Sequence, residues 1–190
     1  SMDSHDCAGR LVLPMYVDSH THLIFAESRS GEMKMRLHGK SYQEIAEAGG
    51  GILNSAAKLH AMSEQQLYEE AQERMGNLIK QGTGAIEIKS GYGLNIEDEM
   101  KMLRVIRVLK SLSPIPIKAT FLGAHALPTA FKNNKDAYMY LVTKEMLPRI
   151  AGEGLADYID IFCETGYFSL DDLKQVIEAG DKYGLKAKVH

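Results

Sequence analysis

Two histidines one residue apart, His20 and His22, follow a short apolar run, Met15 to Asp18. Side chains alternate along a strand, so both imidazoles project to the same side. Two neutral imidazoles on one side can share a metal ion, and zinc, iron and nickel all accept such ligands. An H-x-H pair alone is a weak signal, because polar residues are common at strand ends. Its place directly after the first apolar run strengthens it. Two further histidines stand in comparable places. His125 follows the run Ile115 to Leu122 through Gly123-Ala124, and His190 closes the run Leu185 to His190. A lone histidine at a strand end is more often a hydrogen-bonded structural residue. Three strand ends that each carry histidine are harder to explain that way.

The elements that must position these residues alternate between strand and helix. Ser41-Tyr42-Gln43-Glu44 and Ser63 to Gln66 have capping-box spacing and each predicts a helix start. The first helix is expected to stop at Gly49-Gly50-Gly51, with a lid hinge as the less common reading of that triplet. Leu67, Ala71, Met75, Leu78 and Ile79 give the second helix an apolar face. Strands are expected at Ala85 to Lys89, Ile115 to Leu122, Tyr158 to Phe162 and Leu185 to His190. Asn95 is placed to cap a helix whose first turn carries Glu97, Asp98 and Glu99, which suit the positive end of its dipole. A helix over Asp136 to Leu147 should be disturbed at Pro148, and Ser169 opens the last one.

This order indicates βαβ units and a parallel sheet. A doubly wound open sheet fits it as well as a barrel does. A (β/α)₈ TIM-type barrel needs about 250 residues, so five strands in a 190-residue chain are just over half of one. Residues 1–190 therefore read as a single incomplete α/β barrel domain. Residues 1–10 read as a flexible lead or a remnant of another domain.

Composition narrows the classes of function. Apolar residues make up 45% and charged residues 25%, enough apolar content for a core. The net charge of −3 is interspersed along the chain, which excludes a basic nucleic-acid footprint. No apolar run approaches the roughly 18 residues of a membrane span. Cys7 and Cys163 are the two cysteines, too few for a disulfide framework. Both are expected reduced, in a cytoplasmic protein.

Several blocks of residues carry a resemblance. Val17-Asp18-Ser19-His20-Thr21-His22 resembles the first-strand motif of the amidohydrolase superfamily. LHGKSYQEIAEAGGGIL (Leu37 to Leu53), KSGYGL (Lys89 to Leu94), MKMLRVI (Met100 to Ile106), FLGAH (Phe121 to His125) and IFCETG (Ile161 to Gly166), in this order, resemble the imidazolonepropionase family within it. The resemblance runs from about Gly9 to the end. It departs at Met15, where the family has glycine, and at Glu27, where it has a small residue.

The resemblance implies a metal-dependent hydrolase that opens the ring of imidazolone propionate to formiminoglutamate in histidine degradation. It implies that His20, His22 and His190 ligate one divalent metal ion, zinc or iron. Arg29 would clamp the small-molecule substrate's propionate, Tyr92 and His125 would contact the substrate, and Tyr42 would line the pocket. It also implies an aspartate ligand, an acid/base glutamate and a β-rich domain beyond this chain, so that activity belongs to the parent protein.

Physical chemistry is compatible with each role. Arginine's planar fork matches a carboxylate, and Arg29 lies seven residues after His22, within reach of the mouth. Its bland reading is a solvated loop charge. Tyr92 lies between two glycines, which lets the backbone approach a ligand. An ordinary turn tyrosine is the alternative. His125 could hydrogen-bond the substrate or hold the attacking water. Cys163 is expected to be a core cysteine, since no base lies beside it.

Strand alternation adds one expectation. If His190 points inward, Lys188 and Lys186 do too, and buried lysines need partners. A charged layer is expected, with at least one lysine paired to Glu87 or Asp160. Half a barrel also leaves apolar edges, which favour a homo-oligomer.

Two other readings fit less well. Dihydroorotase-like or hydantoinase-like enzymes carry a carboxylated lysine at the fourth strand end, where this chain has Phe162-Cys163-Glu164. A non-catalytic binding or assembly module with a remnant site would predict weak metal binding and no turnover.

Overall fold

The computed structural model describes residues 4–41, 44–45 and 50–190. Five parallel strands form one sheet in the order β1-β2-β3-β4-β5: β1 (Tyr16–Thr21), β2 (Thr83–Lys89), β3 (Ile117–Ala124), β4 (Tyr158–Ile161) and β5 (Lys186–Ala187). Chain order equals spatial order, as in a barrel wound one βα unit at a time; a doubly wound sheet would reverse direction at a switch point. The helices are α1 (Ser30–Leu37), α2 (Gly51–Ala61), α3 (Glu64–Lys80), α4 (Ile96–Leu112), α5 (Lys135–Tyr140), α6 (Leu147–Gly152) and α7 (Leu170–Asp181).

One face of the sheet supplies the core. Ile86 and Ile88 of β2, Ala119 and Phe121 of β3, and Ile159 and Ile161 of β4 join Leu67 and Ala71 of α3 and Leu103 and Ile106 of α4 in one buried cluster. Burying each of the larger aliphatic side chains contributes about 1.5–3 kcal/mol. The alternate positions, Glu87, Lys89, Thr120 and Asp160, are polar and buried. Period-2 alternation thus separates an apolar outer layer from a polar inner one.

The cap signals appear where expected. Ser63 and Gln66 form a full capping box, as do Ser169 and Asp172, and the Asn95 side chain accepts from the Asp98 N–H. Ser41 and Glu44 also exchange reciprocal hydrogen bonds of 2.7 and 3.1 Å.

Three expectations need correction. Gly50 and Gly51 do more than follow a helix: Gly50 is the N-cap of α2, and Gly51 takes φ +87°. Neither α2 nor α1 was legible as a helix; α1 buries no residue and has no apolar stripe to read. The fourth expected helix is disturbed ahead of Pro148 and not at it. Leu141–Met146 forms a π-helical turn between α5 and α6, so Pro148 falls in the first turn of α6, where an N–H is dispensable. Lys186 is exposed, and Cys163 is only half-buried. β5 is regular for only two residues, although the N–H groups of Lys188 and His190 still bond Ile159 and Ile161 carbonyls at 2.8 and 3.0 Å.

No helix among the described residues is long and apolar enough to cross a membrane.

Candidate metal centre

The four histidines lie at or just beyond the C-terminal ends of the strands, the face on which β/α barrels build their sites. β1 delivers His20 and, one residue past its end, His22. His190 follows β5. The hydrogen bonds from the His190 N–H to Ile161 and from the Cys163 N–H to the His190 carbonyl, 3.0 and 3.1 Å, hold the last residue against β4. The two outer strands therefore meet across the sheet's concave side. Ring centroids lie 4.4 Å apart for His20 and His190, 5.0 Å for His22 and His190, and 5.5 Å for His20 and His22.

One ligand atom from each of these three histidines can be chosen so that all lie within 4.8 Å of one another. Ligands at about 2.1 Å from a tetrahedral ion are roughly 3.4 Å apart, so holding one would draw these atoms together by up to about 1.4 Å. The chemistry of the donors also fits. Burial, followed by the neighbouring imidazoles, pushes His22 down to about 2; burial also lowers His190 and His20. The three rings are neutral near pH 7, the form that ligates. The Nδ1 atoms of His22 and His190 are buried without a hydrogen-bond partner. Such orphans are rare and call for a partner.

His125 completes the cluster. It stacks on His22 with centroids 5.0 Å apart, and its Nδ1 lies 2.8 Å from the Gly91 carbonyl oxygen. A carbonyl only accepts, so Nδ1 carries the proton and Nε2 is the free acceptor. Burial pushes His125 down to about 4, although the Gly91 bond works the other way.

The loop after β2 is held by a residue that sequence reasoning assigned only to the helix dipole. Glu99, fully buried in α4, accepts from the N–H groups of Gly91, Gly93 and Leu94 at 3.2, 2.8 and 3.0 Å. Burial raises its pKa, while bonds from Ser90 and these N–H groups oppose the rise. Both glycines of Gly91-Tyr92-Gly93 are required. Gly91 has φ +111°, and a Cβ there would lie 2.9 Å from His125 Nδ1; a Cβ at Gly93 would lie 2.3 Å from the Glu99 nitrogen. Tyr92 is thereby fixed, with its ring 5.6 Å from that of His22.

Arg29 lies just before α1. Its Nε and Nη2 donate to Glu32 Oε2 at 2.8 and 2.5 Å, while Glu32 Oε1 accepts from the Gly51 N–H at 3.0 Å. Burial works against the guanidinium's charge, but Glu32 and Tyr92 more than offset it and its pKa is raised. His22, Phe25, Glu27, Arg29 and Tyr92 line one cavity of about 170 Å³. The six site residues expected from sequence that are described surround one region: His22, Arg29 and Tyr92 line the cavity, His125 stacks on His22, and His190 meets His22 edge-on and His20 at 4.4 Å; His20 is the most exposed of them. Tyr42 lies outside the described residues. The two departures from the family pattern lie apart from the histidines: Met15 packs on Gly84, and Glu27 pairs with Lys58.

The expected charged layer is present. Lys188 pairs with Glu87 at 2.5 Å. Its centre is a residue that sequence reasoning overlooked, Lys89, 1% exposed, which donates to Glu87 at 2.8 Å and Asp160 at 2.7 Å. The signal was available, since Lys89 shares parity with Glu87 on β2.

Five parallel strands in chain order, with the histidines at their C-terminal ends, define a (β/α) barrel type of fold. Solved structures share the fold: 5-methylcytosine deaminase from Klebsiella pneumoniae, liganded with 5-fluorocytosine or with phosphonocytosine, superposes over the whole of this chain and 43% of its own, with TM-scores of 0.66 and 0.68 at 17% and 16% identity. By sequence, the chain's homologues are imidazolonepropionases. It is 55% identical to that of Flavobacterium psychrophilum, 53% to that of Christiangramia forsetii and 52% to that of Flavobacterium johnsoniae, each over 97% of this chain. The chain spans about 45% of the length of these curated relatives. No family model matches it.

Proposed function

We propose that this chain carries the first-strand and fifth-strand metal ligands of a hydrolase that opens imidazolone propionate to formiminoglutamate. The observation that carries the reading is the convergence of His20, His22 and His190, whose ligand atoms lie within 4.8 Å of one another. The curated relatives' name supplies the substrate. One divalent ion, zinc or iron, would be held by these three imidazoles and would act as a Lewis acid toward the ring carbonyl.

The remaining residues bind and orient. Arg29 spends its Nε edge on Glu32 and also bonds Tyr92, and together these aim the guanidinium toward a substrate carboxylate. Tyr92, on its rigid loop, lines the substrate cavity. His125, with Nδ1 committed to Gly91, presents an unprotonated Nε2 that accepts a hydrogen bond from the substrate or from the attacking water. A second, lysine-bridged metal has no support, because Phe162-Cys163-Glu164 follow β4, where such enzymes carry the lysine.

We place the protein in the cytoplasm on its two unpaired thiols. We also propose self-association through β1, whose Tyr16 and Val17, with Leu11 to Leu13 before them, are exposed. Sedimentation as a monomer would contradict it.

The functional test is consumption of imidazolone propionate by the metal-loaded parent protein that carries this chain. Ring opening that disappears in a His20→Ala, His22→Ala variant supports the reading. Metal-loaded parent protein that opens no ring overturns it.

A further inference from the structure

The proposed reaction leaves the buried ion layer beneath the histidines unused. Lys89, Glu87 and Asp160 are each no more than 3% exposed. Lys89 Nζ bridges Glu87 Oε1 and Asp160 Oδ2, Lys188 Nζ holds Glu87 Oε2, and the Thr120 hydroxyl donates to Glu87 Oε1. Two cations and two carboxylates leave the layer neutral. Stability alone explains such a cluster poorly, because well-packed apolar residues in place of a buried ion pair are often as good or better.

Its position suggests another use. Asp160 Oδ1 accepts from the Ile161 N–H at 2.7 Å, and Oδ2 accepts from Lys89 at 2.7 Å, so the carboxylate cannot swing away. Oδ2 also lies 3.8 Å from His190 Nδ1, the buried nitrogen that has no hydrogen-bond partner. That separation is too long for a hydrogen bond, and closing it to about 2.9 Å needs only a small ring movement. Histidines that ligate metals almost always donate their other N–H to a carboxylate, a carbonyl or a water.

We propose that Asp160 is the positioning residue of His190: it accepts the Nδ1–H of the imidazole and so leaves Nε2 free toward His20 and His22, while Lys89 clamps Asp160 in place. The inference rests on the reading of the three histidines as a metal site. Its geometric half, the Asp160–His190 bond, can be observed without metal.

Two measurements on the chain test it. In metal-free protein with ¹⁵N-labelled histidine, the His190 ring, assigned by its loss in a His190→Gln variant, should be the Nδ1–H tautomer. An Nε2–H tautomer, or fast exchange between the two, overturns the proposal without any variant of the ion layer. The second measurement is zinc affinity by chelator competition. Asp160→Asn has one oxygen to serve three donors, so it should weaken zinc binding by about 10–100-fold. Lys188→Gln, which touches Glu87 and not Asp160, should leave it within about threefold of the parent, well short of that loss. Zinc affinity unchanged in folded Asp160→Asn overturns the proposal. If the parent chain binds no zinc, the metal reading fails, and the tautomer still decides whether Asp160 holds His190.

Discussion

His125 donates from Nδ1 to the Gly91 carbonyl oxygen across 2.8 Å, and this bond ties the ends of β2 and β3 together beneath the histidine cluster. It depends on glycine at 91. Alanine there would combine an unfavourable φ of +111° with a methyl 2.9 Å from the imidazole. Gly91→Ala should destabilise the fold by about 1–3 kcal/mol and shift the His125 ring resonances. Urea denaturation and histidine NMR check this; a variant as stable as the parent would show that the loop relaxes freely.

Glu99 makes the same loop rigid from the other side. Glu99→Gln replaces one acceptor oxygen by a donor that faces backbone N–H groups. It should cost about 1–3 kcal/mol, whereas exposed Glu97→Gln, two residues away, should change stability by less than about 0.5 kcal/mol. Equal effects would return Glu99 to the simple helix-dipole role expected from sequence.

Lys89→Met should be among the most damaging single changes in the sheet. It removes the cation shared by Glu87 and Asp160, and although Lys188 still serves Glu87, Asp160 loses its lysine. A loss of about 3–5 kcal/mol is expected, read by denaturant midpoint at neutral pH. A neutral outcome would mean that water or His190 replaces the ammonium.

Acid should unfold the metal-free chain in two overlapping stages. Burial lowers His125 to about 4 and His22 to about 2, so below about 6.5 the unfolded chain binds more protons than the folded one and stability falls. The carboxyls of Asp98, Asp157 and Asp172 follow. Burial raises them, but bonds from Lys101, from the Ala119 N–H and Lys110, and from Lys135 hold them below the usual range. Their contribution is full above the unfolded value of about 3.9 and is lost as pH falls through the lower folded values. A urea midpoint that does not move between pH 7 and pH 4 would contradict the first stage; the pH limits are about those of the unfolded and folded His125.

Strand positions were legible because alternation and flanking glycines mark them locally. His20, His22 and His125 could be placed at strand ends from the chain alone, and so could a lysine paired to Glu87 or Asp160. What escaped was set by contacts distant in sequence. Lys89 is buried because Asp160, 71 residues away, receives it. Glu99 turns back from its helix because the loop before it offers three bare N–H groups. α1 escaped because it buries nothing, and α2 because its opening glycines also read as a helix stop. The π turn before Pro148 relocates the ladder in a way that no local propensity signals.

The central claim is that His20, His22 and His190 form one metal site. Metal per chain, measured by elemental analysis on purified protein and on a His20→Ala, His22→Ala variant, tests it most directly. The account predicts near-stoichiometric zinc or iron in the parent and none in the variant. Metal absent from both, or retained undiminished in the variant, would contradict it.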